Sequence, residues 1–202
     1  MKQMFVEVST GKARVCQWGN KSNPDIICFH GMGSTNLSFI EIAAKLKDRY
    51  HILSVDLPGH GQSQGFEKDE DIFDDKLSFL ESEKVVYSRW SELLETSVYD
   101  LMREEDGKIK WHATGDTARG IIKYLHNQHE KMKLGNIESE ILLLYPDCSE
   151  DQYKLNVQML EMFEKKIKVT TKLYKGATHL IHSDRPDEVV EDILGWFGDN
   201  GV

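Results

Sequence analysis

Short apolar runs near both ends of the chain indicate strands of a parallel sheet. The runs lie at residues 26–29 (IICF), 51–55 (HILSV) and 141–145 (ILLLY), and such runs are typical of strands that are buried on both faces. Between the first two runs, apolar residues recur at helical spacing over residues 37–46. Strand, helix and strand at this spacing predict a βαβ unit with a right-handed crossover.

Further elements are predicted at the two ends of the sequence. Residues 4–9 and 13–18 are rich in apolar residues on either side of a turn at Thr10-Gly11-Lys12, and this pattern predicts a hairpin. Residues 168–174 predict a strand. The segment 186–197 predicts a helix, and Pro186 suits its first turn because the missing N–H is not needed there.

The middle third of the chain has a different pattern. Apolar residues follow helical spacing over residues 72–103, residues 117–131 also read as a helix, and residues 109–113 form a short extended piece between them. We therefore predict an α/β core formed by residues 1–71 and 136–202, with residues 72–135 as a helical cap.

Three motifs follow the predicted strands. HGMG at residues 30–33 joins a strand to a helix, where small residues leave amide N–H groups facing a cavity and able to stabilise an oxyanion. HGMG alone does not distinguish an oxyanion loop from an ordinary turn, because any tight turn between a strand and a helix favours glycine. However, IICFHGMGST and HILSVDLPGHGQS together resemble the third and fourth strands of the α/β-hydrolase family. GATHLIHSDRP, at residues 176–186, resembles that family's catalytic-histidine loop and last helix.

The resemblance implies the fold and an oxyanion site. The fold class is α/β, with a mostly parallel sheet of α/β-hydrolase type and a helical cap. The backbone N–H of Met32 is implied as an oxyanion donor, and Gly31 and Gly33 permit its geometry. His30 is a structural member of the same motif at the edge of the pocket.

The resemblance also implies a base and an acid. His179 takes the position of the catalytic histidine, which accepts a proton from a nucleophile and returns it to the leaving group. Asp147, after the strand at 141–145, is the candidate acid that orients the imidazole, with Glu150 and Asp151 as rivals. Trp90 and Trp111 are expected to line the pocket, or else to pack in the core of the cap.

The nucleophile is the missing part. In the family it stands in G-x-S-x-G, on a strained turn between a buried strand and a helix, and we identify no such segment here. The loop 59–63 follows the fourth strand, and Ser63 precedes no predicted helix. A block that carries two strands is therefore expected to be absent near residues 70–73. The sheet is then shortened or completed by another chain, for example as a homodimer through its exposed edge.

The missing nucleophile segment leaves two functions open. The parent activity is hydrolysis of a small, largely apolar ester or amide by Ser-His-acid chemistry, and a segment omitted from the sequence would restore it. The alternative is a non-catalytic binding protein of hydrolase fold or an inactive deletion variant. The sequence leaves open which applies, and therefore whether the chain is an enzyme.

Composition excludes several other classes. The net charge is −9, which argues against a nucleic-acid surface because such surfaces need clustered Lys and Arg. None of the three cysteines forms a CxxC pair, and the chain has no metal-ligand spacing and no nucleotide-binding glycine loop, so we expect neither a metal nor a cofactor. No segment has the roughly 18 apolar residues of a membrane span, and no signal peptide is evident. We expect a cytoplasmic protein.

Overall fold

The computed structural model describes residues 1–8, 11–63, 72–113, 115–128, 139–147, 149–165 and 167–199. The turn residue Thr10, the predicted junction at residues 70–71 and the predicted end of the cap at 129–135 lie outside these ranges. The chain forms two compact units, Met1–Asn127 and Gln128–Val202.

The strands are β1 (Lys2–Val8), β2 (Gly11–Trp18), β3 (Asp25–Phe29), β4 (His51–Val55), β5 (Ile72–Phe73), β6 (Met102–Glu105), β7 (Lys108–Trp111), β8 (Ile141–Pro146) and β9 (Val169–Tyr174). The helices are α1 (Ile40–Leu46), α2 (Lys76–Lys84), α3 (Glu92–Tyr99), α4 (Gly115–Gln128), α5 (Glu150–Glu164), α6 (Ile181–Asp184) and α7 (Pro186–Asp199), and a 3₁₀ turn (Asn36–Phe39) precedes α1. No helix of the described ranges is long and apolar enough to cross a bilayer.

The first unit contains a mixed sheet of four strands in the order β1-β2-β4-β3. β3 and β4 are parallel, with Asp25 opposite His51 and Phe29 opposite Val55, as the βαβ pattern predicts. β1 and β2 form the predicted hairpin, and β2 is antiparallel to β4. Of the pairs between described strands, only β3–β4 and β8–β9 are parallel.

β3 departs from the prediction that it is buried on both faces. Ile27 and Phe29 are 57% and 61% exposed. The physical reason is position, because β3 is the end strand of the order and pairs with β4 alone among the described strands. An apolar run therefore identifies a strand without telling whether it has a neighbour on each side.

Residues 72–113, which we call the insert segment, mix helices and strands. α2 and α3 confirm part of the predicted helical pattern, but β5, β7 and β6 form a small antiparallel sheet in that order. The prediction of helix up to residue 103 is wrong at β6. Asp106 and Gly107, with φ of 52° and 72°, form the tight turn between β6 and β7, and Asp-Gly is a strong signal for such a hairpin.

The insert segment has its own apolar cluster. Its buried members come from helices and strands alike: Phe79, Leu80, Val98, Leu101 and Ile109. α2 begins at a capping box in which the Asp75 carboxylate accepts the backbone N–H of Ser78, a motif that satisfies donors left open at a helix start.

The second unit pairs β8 with β9 in parallel, with Ile141 opposite Val169. α7 begins at Pro186, as predicted, and its residues Val189 and Val190 are buried. Tyr174 of β9 is almost fully buried and donates its hydroxyl to Asp192 of α7. The strand and the last helix are thus joined by both apolar and polar contacts.

Candidate functional site

The HGMG loop directly follows β3. Gly33 has a φ of 78°, a left-handed conformation that glycine adopts without the cost of a side chain. Met32 is 56% exposed, and its backbone N–H donates to no acceptor within the described residues. An oxyanion donor requires a backbone N–H that has no partner within the protein, and the N–H of Met32 meets this requirement among the described residues.

His30 is buried and ties the loop after β3 to the loop after β4. Its Nδ1 donates to the backbone oxygen of Gly31 (2.7 Å), and its Nε2 accepts the backbone N–H of Leu57 (3.0 Å). These two contacts require the neutral imidazole with its proton on Nδ1. Burial lowers the pKa of His30, and protonation of Nε2 would remove the bond from Leu57. Through these two hydrogen bonds His30 holds the two loops together.

We predict that stability falls with acid because of this histidine. The unfolded side chain binds a proton below its ordinary pKa of about 6.5, whereas the folded one does not until lower pH. The unfolded state then holds more protons, so the free energy of unfolding decreases as the pH falls through this range. Urea unfolding at pH 8 to 5 should show the loss, and His30→Asn should show a smaller one.

A control distinguishes His30 from other histidines. Burial also lowers the pKa of His112, so the single variant keeps a residual pH dependence that His30→Asn/His112→Asn flattens further. If His30→Asn keeps the full pH dependence of the parent protein, His30 is not the group that carries it.

Asp56 holds the loop after β4. Its side chain is fully buried, and it accepts the backbone N–H groups of Asn36 (2.7 Å) and Gln62 (2.9 Å) and the Nε–H of Arg14 (2.7 Å). Asn36 begins the 3₁₀ turn after the HGMG loop. One carboxylate thus fixes the loop after β4 against the helix entry that follows the oxyanion loop.

Arg14 joins this arrangement to the insert segment. The guanidinium, in β2, contacts Asp56 through Nε and both carboxylate oxygens of Asp100 through its terminal nitrogens. Burial by itself lowers the pKa of Arg14, but the hydrogen bonds to Asp100 and Asp56 outweigh it and raise the pKa. The cation is therefore permanently charged and bound to two carboxylates.

Ser63 is the one serine whose sequence context reads G-x-S-x-G, at residues 61–65, so the prediction that no such segment occurs is wrong for the motif itself. Gln64 and Gly65 lie outside the described residues. The Ser63 hydroxyl donates to the backbone oxygen of Asp56 (2.9 Å) and accepts the backbone N–H of Arg14 (2.9 Å). A buried hydroxyl with both roles engaged is a structural bridge, and this arrangement is not that of a nucleophile.

The histidine loop lies between β9 and α6 in the second unit. His179 is exposed and makes no hydrogen bond within the described residues. Asp184 holds the preceding residue, because its Oδ2 accepts both the backbone N–H (2.7 Å) and the hydroxyl (2.8 Å) of Thr178. The imidazole is accessible while the backbone beside it is fixed.

Asp147 lies at the base of the same loop. Its Oδ1 accepts the backbone N–H of Gly176 (2.8 Å), three residues before the histidine. No hydrogen bond or ion pair of the described residues joins Asp147 to His179. Of the rival acids, Glu150 pairs with Lys154 on the exposed face of α5. The structure thus brings Asp147 to the histidine loop but not onto the imidazole.

The two tryptophans pack within the insert segment. Trp90 and Trp111 both lie against its apolar cluster. Trp90 donates its indole N–H to Glu95 (3.0 Å), and Trp111 meets Phe79 edge-on at 5.6 Å between ring centroids. These contacts correspond to the cap-core alternative.

The described parts of the chain give little support for a metal site or for a separate ligand pocket. No group of three or more metal-ligating side chains occurs among the described residues. An open polar depression of about 680 Å³ is lined by Gly19, Asn20, Lys21, Asn23, Lys47 and Asp48. It lies at the amino end of β3, whereas the HGMG loop follows the carboxyl end, and none of the candidate residues lines it.

The residues that hold the loops were missed by the sequence reasoning. Asp56 stands inside a recognised motif, but the motif does not reveal which N–H groups it accepts. Arg14 had a signal, because it is a charged residue between apolar ones in a predicted strand. Asp100 and Asp184 had none, since their partners are defined only by the folded chain.

Comparisons with known proteins agree with the fold. No protein-family model matches the sequence, and no curated protein matches it by sequence. Among solved structures, a thioesterase domain from the curacin biosynthetic pathway matches with a TM-score of 0.77 at 17% identity, covering 96% of this chain and 99% of that one.

Two more solved structures match this chain over most of its length. An E-2-(acetamidomethylene)succinate hydrolase matches with a TM-score of 0.78 at 14% identity, covering 98% and 99% of the two chains. A carboxylesterase from Bacillus subtilis matches with a TM-score of 0.61 at 12% identity, covering 96% and 90%. At such identities the likeness concerns the fold. The resemblance read from the motifs is confirmed at that level, and this chain has the α/β-hydrolase fold with a small sheet.

Proposed function

We propose that this chain carries an incomplete Ser-His-acid site whose parent reaction is hydrolysis of a small, largely apolar ester or amide. The Met32 N–H is the oxyanion donor, His179 the general base and Asp147 the acid that orients it. No serine nucleophile is identified among the described residues, so we expect no turnover of such substrates by the sequence as given.

The state of Ser63 carries this proposal. Its hydroxyl bridges the backbones of Arg14 and Asp56 and is only 9% exposed. A nucleophilic serine needs an accessible oxygen and a base within hydrogen-bond reach, and no histidine nitrogen bonds to this hydroxyl. The position fits a loop support instead.

The remaining parts have definite chemical roles. An amide N–H aimed at a carbonyl oxygen stabilises the negative charge that develops on it, and losing one such donor typically costs about 10²–10³ in rate. An accessible imidazole can accept a proton from a nucleophile and return it to a leaving group. Without a nucleophile, these groups support binding of a carbonyl compound but not its acylation step.

A second candidate function follows from the same observation. With Ser63 engaged, the chain fits a non-catalytic protein that binds a small apolar molecule or is an inactive deletion variant. The exposed Met32 side chain beside its unpaired N–H favours a ligand that has an apolar part and a carbonyl oxygen.

A fluorophosphonate probe separates catalysis from binding. We expect no serine adduct on the native protein, because the probe forms a covalent bond only with an activated hydroxyl. We also expect an intact mass near 23.3 kDa. An active serine hydrolase treated alongside serves as the positive control, and Ser63→Ala as the matched variant.

Two results would contradict the proposal. A probe adduct that disappears in Ser63→Ala would make Ser63 a nucleophile and overturn the proposal. An intact mass larger by several kilodaltons would reveal an additional segment able to carry the elbow, and the protein would then be expected to hydrolyse esters.

A further inference from the structure

The outer edge of β3 has no partner among the described strands. Ile27 and Phe29, 57% and 61% exposed, point to the same face because alternate residues of a strand do so. Met32, 56% exposed, follows shortly after the strand. The edge thus combines unpaired backbone groups with exposed apolar side chains.

This edge lacks the usual protection. Natural edge strands carry charges, proline or bulges that prevent pairing with another chain. β1, at the other edge of the sheet, also exposes apolar side chains, but Lys2 and Glu7 stand near its two ends. The only charged residue of β3 is Asp25, at its first position, and its carboxylate is bound to Nδ1 of His51 at 2.6 Å. β3 is therefore the edge better suited to pairing.

We propose that β3 pairs with β3 of a second copy of this chain, antiparallel about a two-fold axis at Ile27. Two four-stranded sheets then join into one of eight strands. Ile27 faces Ile27 of the second copy, and Ile26 faces Cys28. Paired residues lie on the same face, so the exposed face of one copy continues into that of the other. Ile27 and Phe29 of both copies share this face, with Asp25 of each copy opposite Phe29 of the other.

The occupant is a second copy because the strand is complementary to itself. An isologous interface uses one patch twice, and this register brings an apolar pair to its centre without opposing two charges. Cross-strand apolar pairs and the new backbone hydrogen bonds provide the attraction. The interface is small compared with stable dimers, which bury about 800 Å² per partner, so a monomer–dimer midpoint in the micromolar range is expected.

Charge gives the association a characteristic dependence on salt. Each copy carries a net charge of −9, so two copies repel each other, and added salt screens that repulsion. Salt should therefore strengthen the dimer, whereas an interface built on ion pairs would weaken. This inference is independent of the proposed function.

Sedimentation velocity tests the association. The native chain should shift from monomer to dimer with rising concentration, and further in 0.5 M salt. Ile27→Lys should remain monomeric, because it places two lysines opposite each other on the axis, whereas Phe5→Lys, a similar change on the other edge at a residue that is 51% exposed, should behave like the native chain. Circular dichroism checks that both variants are folded.

Cross-linking tests the register. In a Cys28→Ser background, Ile27→Cys places two thiols opposite each other on the axis, and mild oxidation should give a covalent dimer, whereas Phe5→Cys should not. A native chain that stays monomeric throughout, Phe5→Lys dissociating the dimer while Ile27→Lys does not, or preferential linking through Phe5→Cys would each overturn the proposal. Co-sedimentation with a different protein in place of a second copy would do so as well.

Discussion

Replacing Gly61 by alanine is expected to lower the free energy of unfolding by about 3–5 kcal/mol, the range found when one partner of a buried ion pair is lost. Gly61 has a φ of 52°, and a Cβ there would lie within 2.7 Å of both carboxylate oxygens of Asp56. The carboxylate would have to move, and its bonds to Arg14, Asn36 and Gln62 would weaken together. Urea denaturation with the change followed by circular dichroism measures the loss.

Gly33→Ala is the matched control for this prediction. Gly33 also has a positive φ, of 78°, but a Cβ there would meet nothing within 4 Å. Only the left-handed backbone cost of about 1–2 kcal/mol is then expected. Equal losses in the two variants would mean that backbone strain, and not displacement of Asp56, explains the effect at Gly61.

Arg14→Met should also destabilise the protein by about 3–5 kcal/mol. The guanidinium is the shared partner of Asp56 and Asp100, whose side chains are 0% and 9% exposed. Its removal leaves two carboxylates buried without their cation. With the total stability of a domain at about 5–15 kcal/mol, such a loss brings the variant near unfolding at neutral pH.

A second substitution checks the electrostatic origin of this effect. Arg14→Met/Asp100→Leu removes one of the two stranded carboxylates, so it should recover part of the stability lost in Arg14→Met. Asp56 still has the backbone N–H groups of Asn36 and Gln62, so its charge keeps some stabilisation. Asp100→Leu should also be measured in the native protein. If it lowers the free energy of unfolding by the same amount there as in Arg14→Met, the two residues act independently and the proposed electrostatic coupling is absent.

Local pattern was sufficient for the elements at both ends of the chain. The parallel pairing of β3 and β4 follows from a strand–helix–strand spacing, and α7 begins at the proline that the sequence marks. These features depend on residues close in sequence. The insert segment was predicted less well, because the Asp106-Gly107 turn was not weighed against a helical periodicity that runs into β6.

The residues of the candidate site also fall into two groups, those that local sequence identifies and those that only the fold identifies. Motif residues such as His30 and Met32 could be chosen from the sequence because glycine spacing restricts the backbone locally. The support from Arg14 and Asp100 could not, because the two residues are 86 positions apart and no local signal links them. The sequence indicates that Asp147 follows the strand β8, but its contact with the backbone of Gly176 depends on the parallel pairing of β8 and β9.

The sequence by itself determined the fold class, the parallel pairing of β3 with β4 and the loops that carry the candidate residues, since each depends on periodicity or on glycine positions. Only the tertiary structure decided that Ser63 supports a loop, that Arg14 binds two carboxylates and that β3 is an open edge. Burial and hydrogen-bond partners are properties of the folded chain, and the same apolar strand is either a core or an edge according to what lies beside it.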